Sequence, residues 1–297
     1  MYRPPRRRQR RNPYHAGMEL MQVNGVRLEV QRLAPSQRAG SGDARGAGAG
    51  NPPAGPARPG PPAGGLAPLV FLHEGLGSVS LWRDWPQRLC DATGRAGVVY
   101  SRRGYGRSDP VPDVRSVGRL RPDYMHREAL DVLPALLAGL GISTPVLVGH
   151  SDGATIALLH ASRHTVAACV VMAPHVVVED VSVRSIAQAR DAYLAAGLRE
   201  RLARHHADVD GAFWQWNDIW LDPAFRSFDI RAECAAITAP LLAIQGEDDE
   251  YGTMAQIDEI ARAAPHTRLL KLAACGHSPQ RDQPEAALAA ITAFLAG

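Results

Sequence analysis

The sequence predicts an α/β architecture in which a mostly parallel sheet is flanked by helices and interrupted by a helical insertion. Three observations predict it. Short apolar runs alternate with helical patterns along most of the chain, and one stretch, residues 179–234, carries helical patterns with no convincing strand. The third is size: 297 residues, 45% of them hydrophobic, suffice for one large core.

In chain order, residues 19–33 alternate around Asn24-Gly25, a dipeptide suited to the positive φ values of a tight turn, so a β-hairpin opens the fold. Residues 34–65 are dominated by Gly, Pro, Ala and Ser and read as a flexible insertion without chemistry. Residues 68–72, 98–100, 145–148, 167–172, 240–244 and 267–272 then read as buried strands. Helices are expected between them, at about 81–92, 124–140, 152–163, 254–264 and 284–295. Thr253, followed three residues later by Gln256, reads as a capping box opening one of these helices. The domain organisation expected is a basic disordered leader over 1–18, a catalytic core in two pieces at 19–174 and 236–297, and a helical cap over 175–235.

The net charge of +3 misleads, because six arginines fall within the first eleven residues and the remainder counts to −3. That balance is no footprint for specific nucleic-acid binding by the folded body. No stretch approaches 18 uninterrupted apolar residues and the N-terminus lacks the apolar segment of a secretory signal, so a soluble, cytoplasmic protein without a membrane span is expected. Cys90, Cys169, Cys234 and Cys275 lie far apart with no CxxC, which predicts reduced thiols. Metal-ligand spacing is missing too. His73-Glu74 begins like HExxH, but position 77 is glycine, and His205 and His206 are adjacent, so neither a metal nor any other cofactor is expected.

The chemistry starts at Gly149-His150-Ser151-Asp152-Gly153, which fits G-x-S-x-G. Chance alone supplies about 0.1 such matches in a chain of this composition, so the setting has to carry the argument. An apolar strand precedes the string and a helix rich in Ala, Ile and Leu follows it, as a nucleophile elbow requires. A serine hydroxyl needs a base, and Gly276-His277 supplies one on a loop beyond the last strand. The base in turn needs an orienting acid, for which Glu247, Asp248, Asp249 and Glu250 are candidates at the end of the strand before it. Ser, acid, His is the chain order of one known triad topology.

With these motifs the chain, from about Leu66 onward, resembles the α/β-hydrolase superfamily. His73-Glu74-Gly75-Leu76-Gly77 resembles its oxyanion loop, and Arg103-Gly104-Tyr105-Gly106-Arg107-Ser108 resembles the RGxGxS turn after its next strand. The resemblance implies the α/β-hydrolase fold with Ser151 as nucleophile, His277 as base and Asp249 as acid, Asp248 being the alternative. It also implies an oxyanion hole made by the amide of Asp152 and that of Gly75 or Leu76.

Two positions depart from the family pattern. Glu74 replaces the usual second glycine of the oxyanion loop, and a carboxylate aimed at a developing oxyanion would oppose catalysis, so it is expected to turn away, onto Arg103. Ser101 stands where an acid often precedes the RGxGxS turn.

Other residues have competing readings. Asp152 suits recognition of a cationic amine, as in aminoacyl esters, but an aspartate in the first turn of a helix also simply favours the dipole, and the second reading is preferred. Trp216 and Trp220, in a stripe with Phe213, are candidates to line the substrate pocket, against ordinary packing of a helical layer. Cys275 has no second histidine in its motif to activate it, and His150, His160 and His175 read as structural. The function expected is hydrolysis of a small-molecule ester, lactone or thioester through an acyl-enzyme. A carbon–carbon bond hydrolase, a cofactor-free perhydrolase or a non-catalytic ligand-binding protein would show the same fold. Serine at the elbow argues against epoxide hydrolases and haloalkane dehalogenases, which need a carboxylate there.

Overall fold

The computed structural model describes residues 17–36 and 65–297. The expected leader and Gly/Pro-rich insertion therefore lie almost wholly outside the described residues.

Eight strands form one sheet: β1 Met18–Val23, β2 Val26–Leu33, β3 Leu69–Leu72, β4 Gly97–Tyr100, β5 Val146–His150, β6 Ala168–Met172, β7 Leu241–Gly246 and β8 Arg268–Leu272. Their order is β1-β2-β4-β3-β5-β6-β7-β8. The β1–β2 and β2–β4 pairs are antiparallel and the others parallel. Asn24 and Gly25 take φ values of 47° and 82°, the two positive angles that let a two-residue turn follow the twist of β1 and β2.

Every residue of β3 to β7 is buried, because helices cover both faces of the parallel strands. One apolar cluster includes Val70, Leu147 and Val171, and another on the sheet's alternate positions includes Phe71, Val148 and Val170. The last strand departs from expectation. Only Leu272 of β8 is buried, since the strand closes the sheet's edge and most of its residues meet water.

Two expected helices are modified by proline. The first divides into a short 3₁₀ turn, Val79–Trp82, and the helix Trp85–Thr93, with Arg83 at φ 57° between them and Pro86 in the opening turn of the second. The next runs from Tyr124 to Leu140 but contains a wider π-type turn at Glu128–Val132. Pro134 lies just beyond that turn and has no N–H to donate back into it.

The capping box at Thr253 does not form. Gln256 instead accepts from Val176 N–H at 2.7 Å and donates to Val177 O at 3.0 Å, tying down the loop after β6. Glu179, on that loop, accepts from Thr253 N–H at 2.9 Å and so takes the role expected of Gln256 from a distant part of the chain.

Between β6 and β7 the described chain is helical: Asp180–Ala195, Leu198–Leu202, Val209–Trp220 and Arg231–Cys234, with a 3₁₀ turn at Pro223–Ser227. One isolated bridge, Val177 to Asp229, joins the two ends of this segment.

Candidate active site

At the carboxyl end of β5 the chain turns sharply into the helix Asp152–Ala161, and Ser151 occupies the turn at φ 53°, ψ −119°. That backbone costs a non-glycine residue about 1–3 kcal/mol and is held by Ser151 N–H bonding Met172 O at 2.9 Å. The flanking glycines are sterically required. A Cβ on Gly153 would stand 2.1 Å from Leu72 O, and one on Gly149 would stand 2.4 Å from Gly153 O. The helix can begin this close to β3 only without side chains at either point.

Ser151 Oγ lies 2.9 Å from His277 Nε2. On the other side of the ring, Nδ1 lies 2.8 and 2.9 Å from the two oxygens of Asp249. A carboxylate there selects the tautomer with the proton on Nδ1 and leaves Nε2 free to accept from the serine. Asp249 is buried and also accepts from Gln245 Nε2 at 2.7 Å and from the amides of Tyr251 and Gly252 at 2.8 and 3.1 Å. Burial alone would raise its pKa, but the His277 bond and charge and the amide bond from Tyr251 outweigh it and leave the carboxyl below its ordinary value.

Its neighbours in the acidic run point elsewhere. Glu250 accepts from His277 N–H at 3.1 Å, while Asp248 donates its own N–H to Cys275 O at 2.9 Å and has no bond to the ring.

These residues open on a cavity of about 280 Å³. Gly75, Leu76 and Asp152 line it, and the amide N–H groups of all three lack a protein partner among the described residues. Ile186, Trp216 and Trp220 of the inserted helices also line it. The rest of the aromatic stripe does not reach it. Phe213 is fully buried against Tyr193, ring centroids 3.7 Å apart, and Trp214 lies under the Arg115 guanidinium. His206, also from the insertion, donates to Leu76 O and accepts from Gly106 N–H, both at 3.0 Å, joining the loop at 73–77 to the turn at 103–108.

Several expectations are corrected here. Glu74 does not pair with Arg103, whose guanidinium is exposed and donates only to Pro110 O. Its carboxylate lies 3.5 Å from His150 Nδ1. Burial opposes the Glu74 charge, yet the bond and charge of His150 bring it to about 2. His150 itself donates Nε2–H to His277 O at 2.7 Å, so it braces the histidine loop.

Asp152 stands in the first turn of its helix, as the dipole reading requires, but its side chain is buried rather than solvated. Its buried carboxylate accepts from Tyr124 Oη at 2.7 Å and Trp220 Nε1 at 3.2 Å, with Arg102 Nη1 at 3.6 Å. With those partners it is the hub of an internal network, and its carboxylate is engaged rather than free for a substrate amine.

The acid missing at Ser101 comes from the neighbouring strand. Glu29 of β2 accepts from Ser101 Oγ at 2.7 Å and from Arg107 N–H at 3.0 Å.

His160 is bonded to Ala129 O at 2.8 Å, away from the cavity. His175 lies in the cavity wall, its ring 5.6 Å from that of His277 and edge-on to Trp220. Burial pushes it down to about 3, so it is neutral at pH 7. Neither His150 nor His175 was expected at the site. Both stand at the carboxyl ends of central strands, which is the place where open α/β sheets collect functional side chains, and that position was readable.

Burial raises the Cys275 thiol to about 11, which suits an inert residue. Among the described residues no cluster of His, Cys, Asp or Glu could hold a metal ion, and no helix is long and apolar enough to cross a membrane.

Comparison with known proteins identifies the fold and the family. Residues 69–291 match the model of an alpha/beta hydrolase family. The chain is 26% identical over 260 residues to an sn-1-specific diacylglycerol lipase of Mus musculus, covering 78% of this chain and 81% of the relative. Among solved structures it is similar to an enol-lactonase from Burkholderia xenovorans (TM-score 0.66, 21% identity, 94% of this chain and 100% of the other). It is similar also to a meta-cleavage product hydrolase from Pseudomonas fluorescens (TM-score 0.64, 15% identity, 94% and 97%).

Proposed function

The chain belongs to the alpha/beta hydrolase family, and from that premise we propose that it is a serine hydrolase cleaving a small ester, lactone or thioester through an acyl-enzyme. The observation that carries this reading is the unbroken relay Ser151–His277–Asp249 beside three unpaired amides on one cavity.

In this mechanism His277 Nε2 takes the proton of Ser151 as its Oγ attacks the carbonyl carbon, and Asp249 stabilises the imidazolium that results. The tetrahedral oxyanion is held by the Asp152 amide and by that of Gly75 or Leu76. His277 then protonates the leaving oxygen or sulfur. A water, deprotonated by the same nitrogen, attacks the acyl-enzyme and frees Ser151. The inserted helices act as a cap, with Trp216 and Trp220 as the apolar side of the acyl pocket.

The cavity supports a small substrate. At about 280 Å³ it falls just below the range for ligand pockets, roughly 300–1,000 Å³. A substrate class like that of the enol-lactonase fits it better than a diacylglycerol, as the lipase relative's name would suggest.

The test is labelling by a fluorophosphonate probe, followed by rates on p-nitrophenyl esters of graded chain length beside a lactone and a thioester. Labelling at Ser151 and a preference for short acyl chains are expected. Ser151→Ala should lower kcat by about 10⁶, as comparable serine deletions do. A folded wild type that stays unlabelled, or a Ser151→Ala protein with a tenth of the activity, would end the serine mechanism.

A further inference from the structure

A second cavity, of about 570 Å³, shares no lining residue with the catalytic one. It is bounded by the turn at Arg102 and Arg103, the loop 111–121, the helix beginning at Tyr124, and Gln215 of the inserted helix Val209–Trp220.

Two buried donors in its wall have no partner: Arg102 Nε and Gln215 Nε2, on residues only 4% and 2% exposed. The other nitrogens of Arg102 are engaged, Nη1 near Asp152 at 3.6 Å and Nη2 with Glu74 O at 3.0 Å. Around these donors stand Arg103, Arg119, Arg121 and Arg127, opposed by Asp123 and Glu128. Arg127 pairs with Asp123 at 2.7 Å and Arg119 with Asp222 at 3.0 Å, but Arg121 has no side-chain partner among the described residues. One Asp123 oxygen is itself buried and unpartnered. Burial raises Glu128 above its ordinary value, and Tyr100 Oη donates to it at 3.3 Å. Val111, Leu120 and Val132 supply an apolar wall, and Val117 lies 88% exposed at the same cavity.

We propose that this cavity binds an oxyanion-headed amphiphile, a carboxylate or phosphate on a short hydrocarbon chain. The head satisfies Arg102 Nε and Gln215 Nε2 within the field of Arg121 and Arg103, and the chain lies along Val111, Leu120 and Val132. Because Arg102 also holds Asp152 and the Glu74 carbonyl, an occupant touches the residue that supports the oxyanion loop.

Calorimetric titration of the full chain with octanoate, octyl phosphate, octylammonium and inorganic phosphate tests this. Saturable binding of octanoate or octyl phosphate at one site is expected, with octylammonium silent, and the stronger of the two names the headgroup. Arg121→Ala and Gln215→Leu, each checked for an unchanged melting curve, should weaken binding about tenfold. Arg103→Ala, at an exposed position, serves as a further variant should Gln215→Leu unfold. Protein labelled at Ser151 should bind within twofold of the unlabelled form. Equal affinity across the variants, loss of binding on labelling, inorganic phosphate binding as tightly as octyl phosphate, or no binding at all would each overturn the proposal. Should the probe leave Ser151 unlabelled, the serine reading fails on that ground, and the variants still decide the second site.

Discussion

The indole Nε1–H of Trp220 donates to Asp152 Oδ1 across 3.2 Å, so the last residue of the inserted helix Val209–Trp220 is tied to the residue that follows Ser151. Tyr124 Oη and Arg102 complete the shell of that carboxylate. The inserted segment and the elbow therefore share a buried polar network, in which the loss of one member leaves the others unsatisfied.

Asp152→Asn should accordingly destabilise the fold by about 3 kcal/mol, the scale for breaking a buried ion pair, seen as a lower urea midpoint. Its activity should fall by similar factors on aminoacyl esters and on neutral esters of equal size. A loss confined to aminoacyl esters would restore the amine-recognition reading.

Asp249→Asn should lower kcat by about 10⁴, because the amide can present its NH₂ to Nδ1 and favour the wrong tautomer. Asp248→Asn should change kcat by less than about tenfold, since its carboxylate does not meet the ring and the orienting bond survives. Rates of both folded variants on one ester decide the assignment, and the reverse ranking would move the acid to Asp248.

Acid should destabilise the fold progressively below about pH 6.5. Burial pushes His160 and His206 to about 4 and His175 to about 3, against an ordinary value of 6.5. Each is neutral in the fold and takes a proton on unfolding, so between those values the unfolded chain binds more protons and stability falls as pH falls. One such histidine contributes a slope of about 1.4 kcal/mol per pH unit. His160→Gln should flatten the pH dependence of urea unfolding between pH 6.5 and 5 by about that slope. An unchanged slope would show that this ring is protonated in the native state.

Glu179→Ala should cost about 1 kcal/mol through its lost bonds to Thr253 and Gln256 at the entrance of Ala255–Ala263, whereas Thr253→Ser, which keeps the hydroxyl and the amide that Glu179 accepts from, should cost less. Thermal melts of the two variants, with ester hydrolysis as a control, read this out. Equal melts for Glu179→Ala and the wild type would show that these bonds do not hold the helix entrance.

What the sequence made readable was local or periodic. β3 to β7 are short apolar runs with turn residues around them, and the elbow is a contiguous string, so neither depends on knowing which distant segment lies alongside. The long-range pairings were not readable. Glu29 reaches Ser101 only because β2 lies beside β4 in the sheet, and Glu179 reaches Thr253 only because the loop after β6 passes the start of the next helix. Glu74 shows the same limit. Its choice between Arg103 and His150 depends on the close approach of the loop at 73–77 to the end of β5, which motif spacing does not encode. Within 247–250, spacing by itself left four carboxylates equivalent, and loop geometry separates them.

At Gly75 a Cβ would stand 2.1 Å from Trp216 Nε1. As long as tryptophan occupies 216, position 75 is closed to any side chain, and a larger residue at 75 would demand a smaller ring at 216. Any diversification of the pocket at this contact has to pass through a paired change, so a library that varies 75 alone should return only glycine, while one that varies 75 and 216 together opens the wall.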